Sequence, residues 1–269
     1  MELTDHQLQQ LKTVELRLLR EFLQVCQKLN LNYYVLGGTL LGAVRHQGFI
    51  PWDDDIDIGM PRKDYERFLS EAQPLLPRDV FLQTFATDPE YPYLFAKLRC
   101  SGTVFVEHSL KNCAIHHGIY IDIFPLDPYP EKGIRLFRLK DTLLKLRLSY
   151  TLTPEVLSSR VRLLRIPTLL LFPSRKGAVR KRDQLLRSAR GTHRMSNHCG
   201  AWGEKEIVPT HWFGDGTALS FEGIPVRAPS EYRLWLTQIY GDYLRLPPEE
   251  QRVPHHFVDA FDPGIAEKF

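Results

Sequence analysis

With 269 residues, 43% of them hydrophobic and 11% aromatic, the chain is long enough for one large domain, or for one domain with a helical insertion. Its net charge of +3 is too small to indicate a class of partner. The N-terminal MELTDHQLQQLK lacks the apolar core of a signal peptide, and the longest apolar run, Ile166 to Phe172, is too short to span a bilayer. We therefore expect a cytoplasmic protein.

The four cysteines are typical of reduced, mostly buried thiols. Cys26, Cys100, Cys113 and Cys199 show no CxxC spacing. Cys113 with the neighbouring His116 and His117 resembles half of a zinc site, but the second pair of ligands is missing. We interpret these three as ordinary core and loop residues.

The first segment has the pattern of a long helix. Thr4 and Gln7 form a plausible capping box. The apolar residues that follow recur at helical spacing, namely Leu8, Leu11, Val14, Leu18, Phe22, Val25 and Leu29. The pattern predicts a structural helix that covers one face of a sheet and ends near Asn30.

Residues 33–45 read as a strand, a glycine turn and a short helix. Tyr33 to Leu36 are aromatic or apolar, as in a buried strand. Gly37 and Gly38 follow, and their lack of Cβ lets a ligand phosphate approach the backbone. Thr39 is predicted to cap the helix Leu40 to Arg45, whose N-terminus would favour an anion.

An acidic strand follows this helix. In Asp55-Ile56-Asp57-Ile58 the alternation has period two, so both carboxylates project from one face and both isoleucines from the other. Two adjacent carboxylates repel each other unless a cation lies between them, and hard oxygen ligands suit Mg²⁺ or Mn²⁺. The alternative is a solvated acidic loop.

Further along, Pro61 is predicted to open a helix that runs to about Gln73. Val80 to Phe85 and Tyr93 to Arg99 are predicted strands. In the second strand, Lys97 and Arg99 share one face, which is typical of an exposed sheet edge.

Gly118 to Phe124 is a further predicted strand that contains one carboxylate. Asp122 lies between Ile121 and Ile123, and burying it is costly unless it is paired or bound to a metal. Asp127 is a rival for the same role, although it could equally cap a turn with Pro128.

The composition changes from Glu131 to Arg194, where many lysines and arginines alternate with leucines and acids are few. Helical spacing is clear in Leu136 to Leu148, Val156 to Leu171 and Ala178 to Leu186. A basic amphipathic segment of this kind suits an anionic membrane surface, an acidic glycan or an undecaprenyl-phosphate carrier. The alternative is a solvated helical subdomain whose leucines pack inward. Nucleic acid is disfavoured, because no aromatic stacking pattern accompanies the charge.

The C-terminal part predicts a hairpin and a helix. Two short apolar strands flank the turn Glu222-Gly223. Ser230 is predicted to cap a helix that ends at Tyr240 before Gly241. The adjacent His255 and His256 on a tail are not expected to bind a metal.

Several of these stretches together resemble the LicD family of phosphocholine transferases, to which fukutin and fukutin-related protein are similar. Leu36-Gly37-Gly38 followed by Asp55-Ile56-Asp57-Ile58 resembles the signature of the nucleotidyltransferase fold. The longer string GGTLLGAVRHQGFIPWDDDIDIGM is more specific to LicD. The match continues through FAKLR at 95–99, YIDIFPLD at 120–127 and QIYGDY at 238–243, and is weakest from Glu131 to Arg194.

This resemblance implies an α+β fold, with a nucleotidyltransferase-like mixed sheet flanked by helices and a basic helical insertion. We expect residues 1–130 to form the catalytic core, 131–194 the basic segment, and 195–269 a C-terminal part that completes the catalytic domain.

The resemblance also implies an activity: phosphocholine would pass from CDP-choline to a hydroxyl of a cell-surface glycan of the teichoic acid or lipopolysaccharide type, with release of CMP. The acceptor would be lipid-linked, and the enzyme would work in the cytoplasm, with a peripheral location at the inner face of the plasma membrane as the further option.

The implied site combines metal ligands and phosphate contacts. Asp55, Asp57 and Asp122 would be catalytic and hold Mg²⁺ or Mn²⁺, with Asp53 and Asp127 behind them. The residues expected to contact phosphates are Gly37, Gly38, Thr39, Arg45, His46 and Lys97. The alternatives are the same fold with CDP-ribitol or CDP-glycerol, a nucleotidyl transfer, or a non-catalytic nucleotide-binding scaffold.

Overall fold

A computed structural model of the chain describes residues 2–149, 159–164, 166–254 and 256–264. Within them a mixed sheet is flanked by helices, which confirms the predicted α+β class. The predicted division at residues 130 and 194 stays a prediction.

The first helix, α1 (Asp5–Leu29), starts with the predicted capping box between Thr4 and Gln7. Asn30 ends it in the left-handed conformation. Its apolar side is buried against strands of the main sheet, and Phe22 contacts Phe68 of α3 (Arg62–Glu71) at 5.2 Å between ring centroids. Helices α1 and α3 therefore lie side by side on one face of the sheet.

The main sheet is ordered β1-β2-β6-β4-β3. Its strands are β1 (Tyr34–Val35), β2 (Asp57–Pro61), β3 (Val80–Gln83), β4 (Ala96–Cys100) and β6 (Tyr120–Pro128). Strands β2 and β6 pair in parallel, and the other pairs in this order are antiparallel. Strand β7 (Arg194–Ser196) extends the end of β6 and pairs with β8 (Ile207–Pro209).

The alternative that β4 is an exposed edge, set against a role of Lys97 near the phosphates, is wrong. The strand lies between β3 and β6, so Lys97 and Arg99 are only 1% and 0% exposed. A buried cation needs anionic or polar partners, and both residues have them, as described below.

The remaining strands form two small sheets. Strand β5 (Val104–Glu107) pairs with β11 (Val258–Asp262), so the C-terminal segment runs along β5. Strands β9 (Thr217–Phe221) and β10 (Ile224–Ala228) form the predicted hairpin. Helix α8 (Tyr232–Tyr240) ends at Gly241 as expected, where φ is +72°.

Two predicted helix caps are wrong. Helix α2 (Gly37–Arg45) starts at the first glycine, which places Thr39 inside its first turn. Ser230 does not cap α8, because its hydroxyl accepts the amide N–H of Gly216 instead. In both cases the hydroxyl accepts a main-chain N–H from a residue distant in sequence, where the local pattern predicted that it would cap a helix.

The basic segment is helical where the structure describes it. It contains α4 (Ile134–Leu148), α5 (Ser159–Leu164), α6 (Ile166–Leu171) and α7 (Arg175–Ser188). Part of the predicted helix Val156 to Leu171 lies outside the described residues. Helices α4 and α7 pack on each other around a second apolar cluster that includes Phe137, Leu144 and Leu186. No helix among the described residues is long and apolar enough to cross a membrane.

A buried ion pair joins α3 to β6. Both carboxylate oxygens of Asp127, which is 0% exposed, accept from the Arg62 guanidinium at 2.7 and 2.6 Å. This two-bond geometry is the strongest that an arginine and a carboxylate make. The Asp127 carboxylate therefore binds Arg62 and does not cap a turn. It also faces the opposite side of β6 from Asp122, since the two residues are an odd number of positions apart.

Replacing Asp127 by alanine should lower the free energy of unfolding by roughly 3 kcal/mol, because the Arg62 guanidinium would stay buried and lose both hydrogen bonds to Asp127, keeping only its weaker contacts with Glu66 and Asp183. Glu71→Ala is the control, since it breaks the exposed pair Arg67–Glu71 and should cost at most about 1 kcal/mol. Urea unfolding of both variants measures the difference. Equal, small losses would contradict the structural role given to Asp127.

Candidate active site

The face of the sheet opposite α1 and α3 borders an acidic cavity of about 270 Å³. Strands β2, β4 and β6, the start of α2 and the C-terminal segment all contribute to its wall. Its polar lining consists of Asp55, Asp57, Lys97, Glu107, Asp122, Asn197, Glu206 and His256. All three predicted catalytic residues, Asp55, Asp57 and Asp122, therefore line one cavity, with Gly37 and Lys97 beside them.

Alternation of side chains along the extended segment Asp55 to Ile58, which leads into β2, is the reason for this placement. Ile56 and Ile58 are 0% exposed in the apolar core, and Asp55 and Asp57 point to the cavity as predicted. The preceding loop is fixed by Lys12 of α1, whose ammonium donates to the carbonyls of Ile50 and Pro51 at 3.3 and 2.9 Å.

The two glycines of α2 make room for carboxylates of the chain itself. A Cβ at Gly37 would collide with the Asp57 carboxylate, and a Cβ at Gly38 with the Asp53 carboxylate. The sequence predicted a ligand phosphate at these glycines, and in the structure the space belongs to the two aspartates. Carboxylates suit this place, because the N-terminus of a helix favours negative charge.

Thr39 positions Asp57. Its hydroxyl accepts the main-chain N–H of Asp57 at 2.8 Å, while the Asp57 carbonyl accepts the N–H of Leu36 at 3.0 Å. Thr39 is 1% exposed, so it acts from behind the cavity wall. The start of β2 is thus fastened to the start of α2.

Asp57 and Asp122 are register partners in the parallel pair β2–β6. Burial, with the nearby charges of Asp55 and Asp122, raises the pKa of Asp57 well above its usual range. Burial also raises the pKa of Asp122, to about 6, against the opposing effect of Lys97. The paired carboxylates thus favour a proton or a cation between them.

Lys97 lies within ion-pair distance of two carboxylates. Its ammonium is 3.0 Å from Asp122 Oδ1 and 3.5 Å from Glu107 Oε2, and it lies 3.2 Å from the centroid of the Tyr120 ring. Burial alone would raise the pKa of Glu107, but Lys97, His256 and Arg99 outweigh it and lower the pKa to about 2. Sequence reasoning missed Glu107, because its strand β5 belongs to a different small sheet.

His256 is the second residue that sequence reasoning missed. Its main-chain N–H donates to Asp54 Oδ2 at 3.0 Å, and its ring Nδ1 lies 3.2 Å from Asp54 Oδ1. Burial alone would lower the pKa of His256, but the hydrogen bond and charge of Asp54, with Asp55 and Glu107, raise it to about 10. The ring therefore carries a positive charge at neutral pH. The pairing of β11 with β5 brings this tail residue into the site.

Asp54, Asp55 and His256 offer three possible metal-ligand atoms that all lie within 4.8 Å of one another. Among the described residues, no other group of three or more acidic, histidine or cysteine residues meets this distance. Asp55, Asp57 and Asp122 share the cavity but are not as close together. His256 Nδ1 and Asp54 Oδ1 also lie within ion-pair distance, and a cation bound by this group would displace the ring proton.

The chemistry of the cavity fits a hard cation. Asp55, Asp57 and Asp122 offer oxygen ligands only, which suits Mg²⁺ or Mn²⁺ better than zinc. Asp122 Oδ1 is buried and accepts no hydrogen bond within the described chain, although it is close to Lys97. Mutual repulsion keeps such carboxylates apart until a cation neutralises them.

Several predicted site residues lie elsewhere. Arg45 donates to the carbonyl oxygens of Tyr243 and Arg245, and with Gly38 it lines a second cavity of about 840 Å³. His46 ends α2 and lines neither cavity. Trp202 lines both cavities, so the two cavities are adjacent.

The histidines of the half zinc pattern, His116 and His117, each contact a nearby oxygen. The Nε2 of His116 contacts the Ser101 hydroxyl, and the Nε2 of His117 contacts the Cys113 carbonyl oxygen. Each ring therefore has a local partner, which supports their interpretation as ordinary structural residues.

Comparisons with known proteins agree with the resemblance noted in the sequence. The pattern of the LicD/FKTN/FKRP nucleotidyltransferase domain matches residues 30–141. The chain is 29% identical over 264 residues to the lipopolysaccharide cholinephosphotransferase LicD of Haemophilus influenzae, covering 94% of this chain and 97% of that protein.

Two further matches are shorter. An uncharacterised protein of Rickettsia prowazekii is 37% identical over 115 residues, which are 43% of this chain and 40% of that protein. The human ribitol 5-phosphate transferase FKRP is 43% identical over 53 residues, or 18% of this chain and 11% of FKRP. These matches show a LicD-type nucleotidyltransferase domain over residues 30–141 and a likeness to LicD along nearly the whole chain, and the mixed sheet with its flanking helices agrees with that fold.

Proposed function

We propose that this chain transfers a phosphate-containing group from a nucleotide-activated donor to a hydroxyl of a glycan. The observation that carries the proposal is the pairing of Asp57 with Asp122 on parallel strands, in a cavity that Asp55 and Gly37 also line. The relatives named for such transfers, LicD and FKRP, support the reaction class. LicD, which matches along nearly its whole length, favours phosphocholine from CDP-choline.

In this proposal Asp55, Asp57 and Asp122 would hold Mg²⁺ or Mn²⁺. The bound cation would neutralise the donor diphosphate and make CMP a better leaving group. Asp57 is suited to this role, because its side chain has no ion-pair partner in the part of the chain that the structure describes.

The bond changes follow from this arrangement. The acceptor hydroxyl oxygen forms a bond to the phosphorus that bears choline, and the bond from that phosphorus to the bridging oxygen of CMP breaks. The hydroxyl proton passes to Asp122, whose pKa of about 6 lies close enough to neutrality for a general base. Lys97 keeps Asp122 in its charged form and in place.

The other residues of the site would position these groups. Thr39 fixes the main chain of Asp57, and Gly37 and Gly38 let two carboxylates approach α2. Arg45 would meet a phosphate or another anionic group only from the second cavity, beyond Trp202. A donor or acceptor that reaches past Trp202 would contact both cavities.

The alternative within this reaction class is a different CDP-alcohol donor. The segment shared with FKRP favours CDP-ribitol as the runner-up. The catalytic groups proposed above act on the diphosphate, so they do not distinguish between the attached alcohols.

A donor panel tests the proposal. CDP-choline, CDP-ribitol and CDP-glycerol are each incubated with the protein, Mg²⁺ and a glycan acceptor, and CMP is measured. We expect CDP-choline to give the highest kcat/KM and a phosphocholine mass increment on the acceptor. A higher kcat/KM with CDP-ribitol would show that CDP-ribitol is the preferred donor. If no donor releases CMP, the proposed transfer reaction is refuted.

Replacing Asp57 by asparagine should reduce transfer by at least about a thousandfold, because the cation loses a ligand and the diphosphate loses its neutralising charge. In EDTA the variant should be at least as stable as the wild type, since the amide removes a buried charge. Asp215→Asn, at an exposed aspartate, is the matched control. Activity, Mn²⁺ binding and urea unfolding are measured on both variants.

Loss of activity with unchanged Mn²⁺ affinity would remove Asp57 from the metal site. Loss of stability in EDTA would instead make Asp57 a structural residue.

His256 gives the site a pH dependence of stability. A folded-state pKa of about 10, above the ordinary 6.5, means that the contribution of His256 is complete below pH 6.5 and is lost as the pH rises through 10. The stability difference between wild type and His256→Gln, measured in EDTA, should therefore shrink by at least about 1.4 kcal/mol from pH 6.5 to 10. His211→Gln, at an exposed histidine, should show no such change. A constant difference for His256→Gln would contradict the charged ring.

A further inference from the structure

We propose that helices α5 and α6 form a docking surface for an anionic lipid bilayer. The surface consists of Leu163, Leu164, Ile166, Leu169, Leu170 and Leu171, called here the leucine surface, together with the exposed basic residues of α4 and α7. The inference concerns a partner of the chain and does not depend on the proposed reaction.

The leucine surface is unusually exposed. Leu163, Leu164 and Leu170 are 69%, 60% and 88% exposed, and Ile166 and Leu171 are more than half exposed. Single exposed leucines are common on proteins, whereas a run of large apolar residues facing outward marks an interaction site. Six such residues lie within nine positions of the chain.

These leucines are not the ones that build the local core. Leu144, Leu148 and Leu186 of α4 and α7 are buried in the second apolar cluster. In α6 the buried side chain is Thr168, at 0% exposure, while Leu170 points outward. The alternative of a helical subdomain with its leucines packed inward thus describes α4 and α7 but not α5 and α6.

The end of α6 is fixed to α4. Arg147 of α4, itself 6% exposed, donates to the carbonyl oxygens of Phe172 and Pro173 at 2.7 and 3.2 Å. Contacts between α4 and α6 complete the attachment. The helices are therefore held at one end with the leucines facing away from the core.

The charge of the segment matches an anionic partner. Residues 131–194 contain 17 lysines and arginines against 4 acids, whereas the rest of the chain contains 18 against 28. Lys140, Lys176 and Arg180 are exposed, and none of them has an ion-pair partner within the described residues. Lys181 lies over the ring of Phe172, next to Leu171, so basic and apolar side chains are adjacent.

An anionic bilayer accounts for both the basic and the apolar side chains of this surface. A headgroup layer of anionic lipids attracts the lysines and arginines, and its acyl region accepts leucines. A soluble polyanion would leave the leucines in water. A second copy of the chain would bring two segments with an excess of 13 positive charges each into contact, which repulsion opposes.

Flotation with vesicles tests the proposal. The full chain is mixed with phosphatidylcholine vesicles, with or without about 30% phosphatidylglycerol, at low salt and at about 0.5 M salt. We expect binding to the anionic vesicles that is at least about tenfold tighter than to phosphatidylcholine alone and that weakens with salt.

Two pairs of variants separate the apolar from the basic contribution. Leu164→Ser with Leu170→Ser should weaken binding at least about tenfold, since two acyl contacts are lost. Leu234→Ser with Leu244→Ser, at exposed leucines elsewhere, is the control. Lys176→Glu with Arg180→Glu should abolish the preference for anionic vesicles, whereas Lys63→Glu with Arg78→Glu should not.

Thermal unfolding should be unchanged in these variants, because every replaced side chain is exposed. Three results would overturn the proposal. One is equal vesicle binding by wild type and the leucine variant. Another is binding to soluble polyphosphate that the leucine variant retains while vesicles are not bound. The third is a dimer in light scattering that the leucine variant dissociates.

Discussion

The parallel pairing of β2 with β6 is the constraint on which the candidate site depends. It places Asp57 opposite Asp122, and the antiparallel pairing of β6 with β4 places Lys97 opposite Asp122 from the other side. A slip of one residue in either pair would turn a carboxylate or the ammonium into the apolar face against α1 and α3. The isoleucines that alternate with the aspartates make such a slip costly, so the packing of the core and the geometry of the site are set together.

Balance of charge is the second constraint. The cavity is lined by five carboxylates, namely Asp55, Asp57, Glu107, Asp122 and Glu206, and by two cationic side chains, those of Lys97 and His256. Lys97 forms ion pairs with Asp122 and Glu107, and His256 forms an ion pair with Asp54. Asp57 is left with a raised pKa because its neighbours are carboxylates. A site that stays short of positive charge after its internal pairs are made is suited to binding a cation together with an anionic substrate.

The sequence pattern of single strands predicted which side chains of this site share a face of the sheet. The alternation of Asp55-Ile56-Asp57-Ile58 and the single carboxylate at Asp122 were visible because their apolar neighbours fix the face of the strand. The predicted helix cap at Thr39 is wrong, since its hydroxyl accepts the main-chain N–H of Asp57, 18 residues away. Glu107 and His256 carried no local signal. They reach the cavity through the pairing of β5 with β11, which joins segments about 150 residues apart.

The charge distribution of the chain connects the acidic cavity to the basic segment. A net charge of +3 conceals an excess of 13 positive charges in residues 131–194 and an excess of 10 negative charges elsewhere. The acidic part would repel a nucleotide diphosphate unless a cation came with it, so cation and donor should bind cooperatively. The same negative charge would be repelled by an anionic bilayer, and the basic segment would be attracted. Attraction of the basic segment and repulsion of the acidic part would together orient the protein with the leucine surface against the lipid and the acidic part away from it.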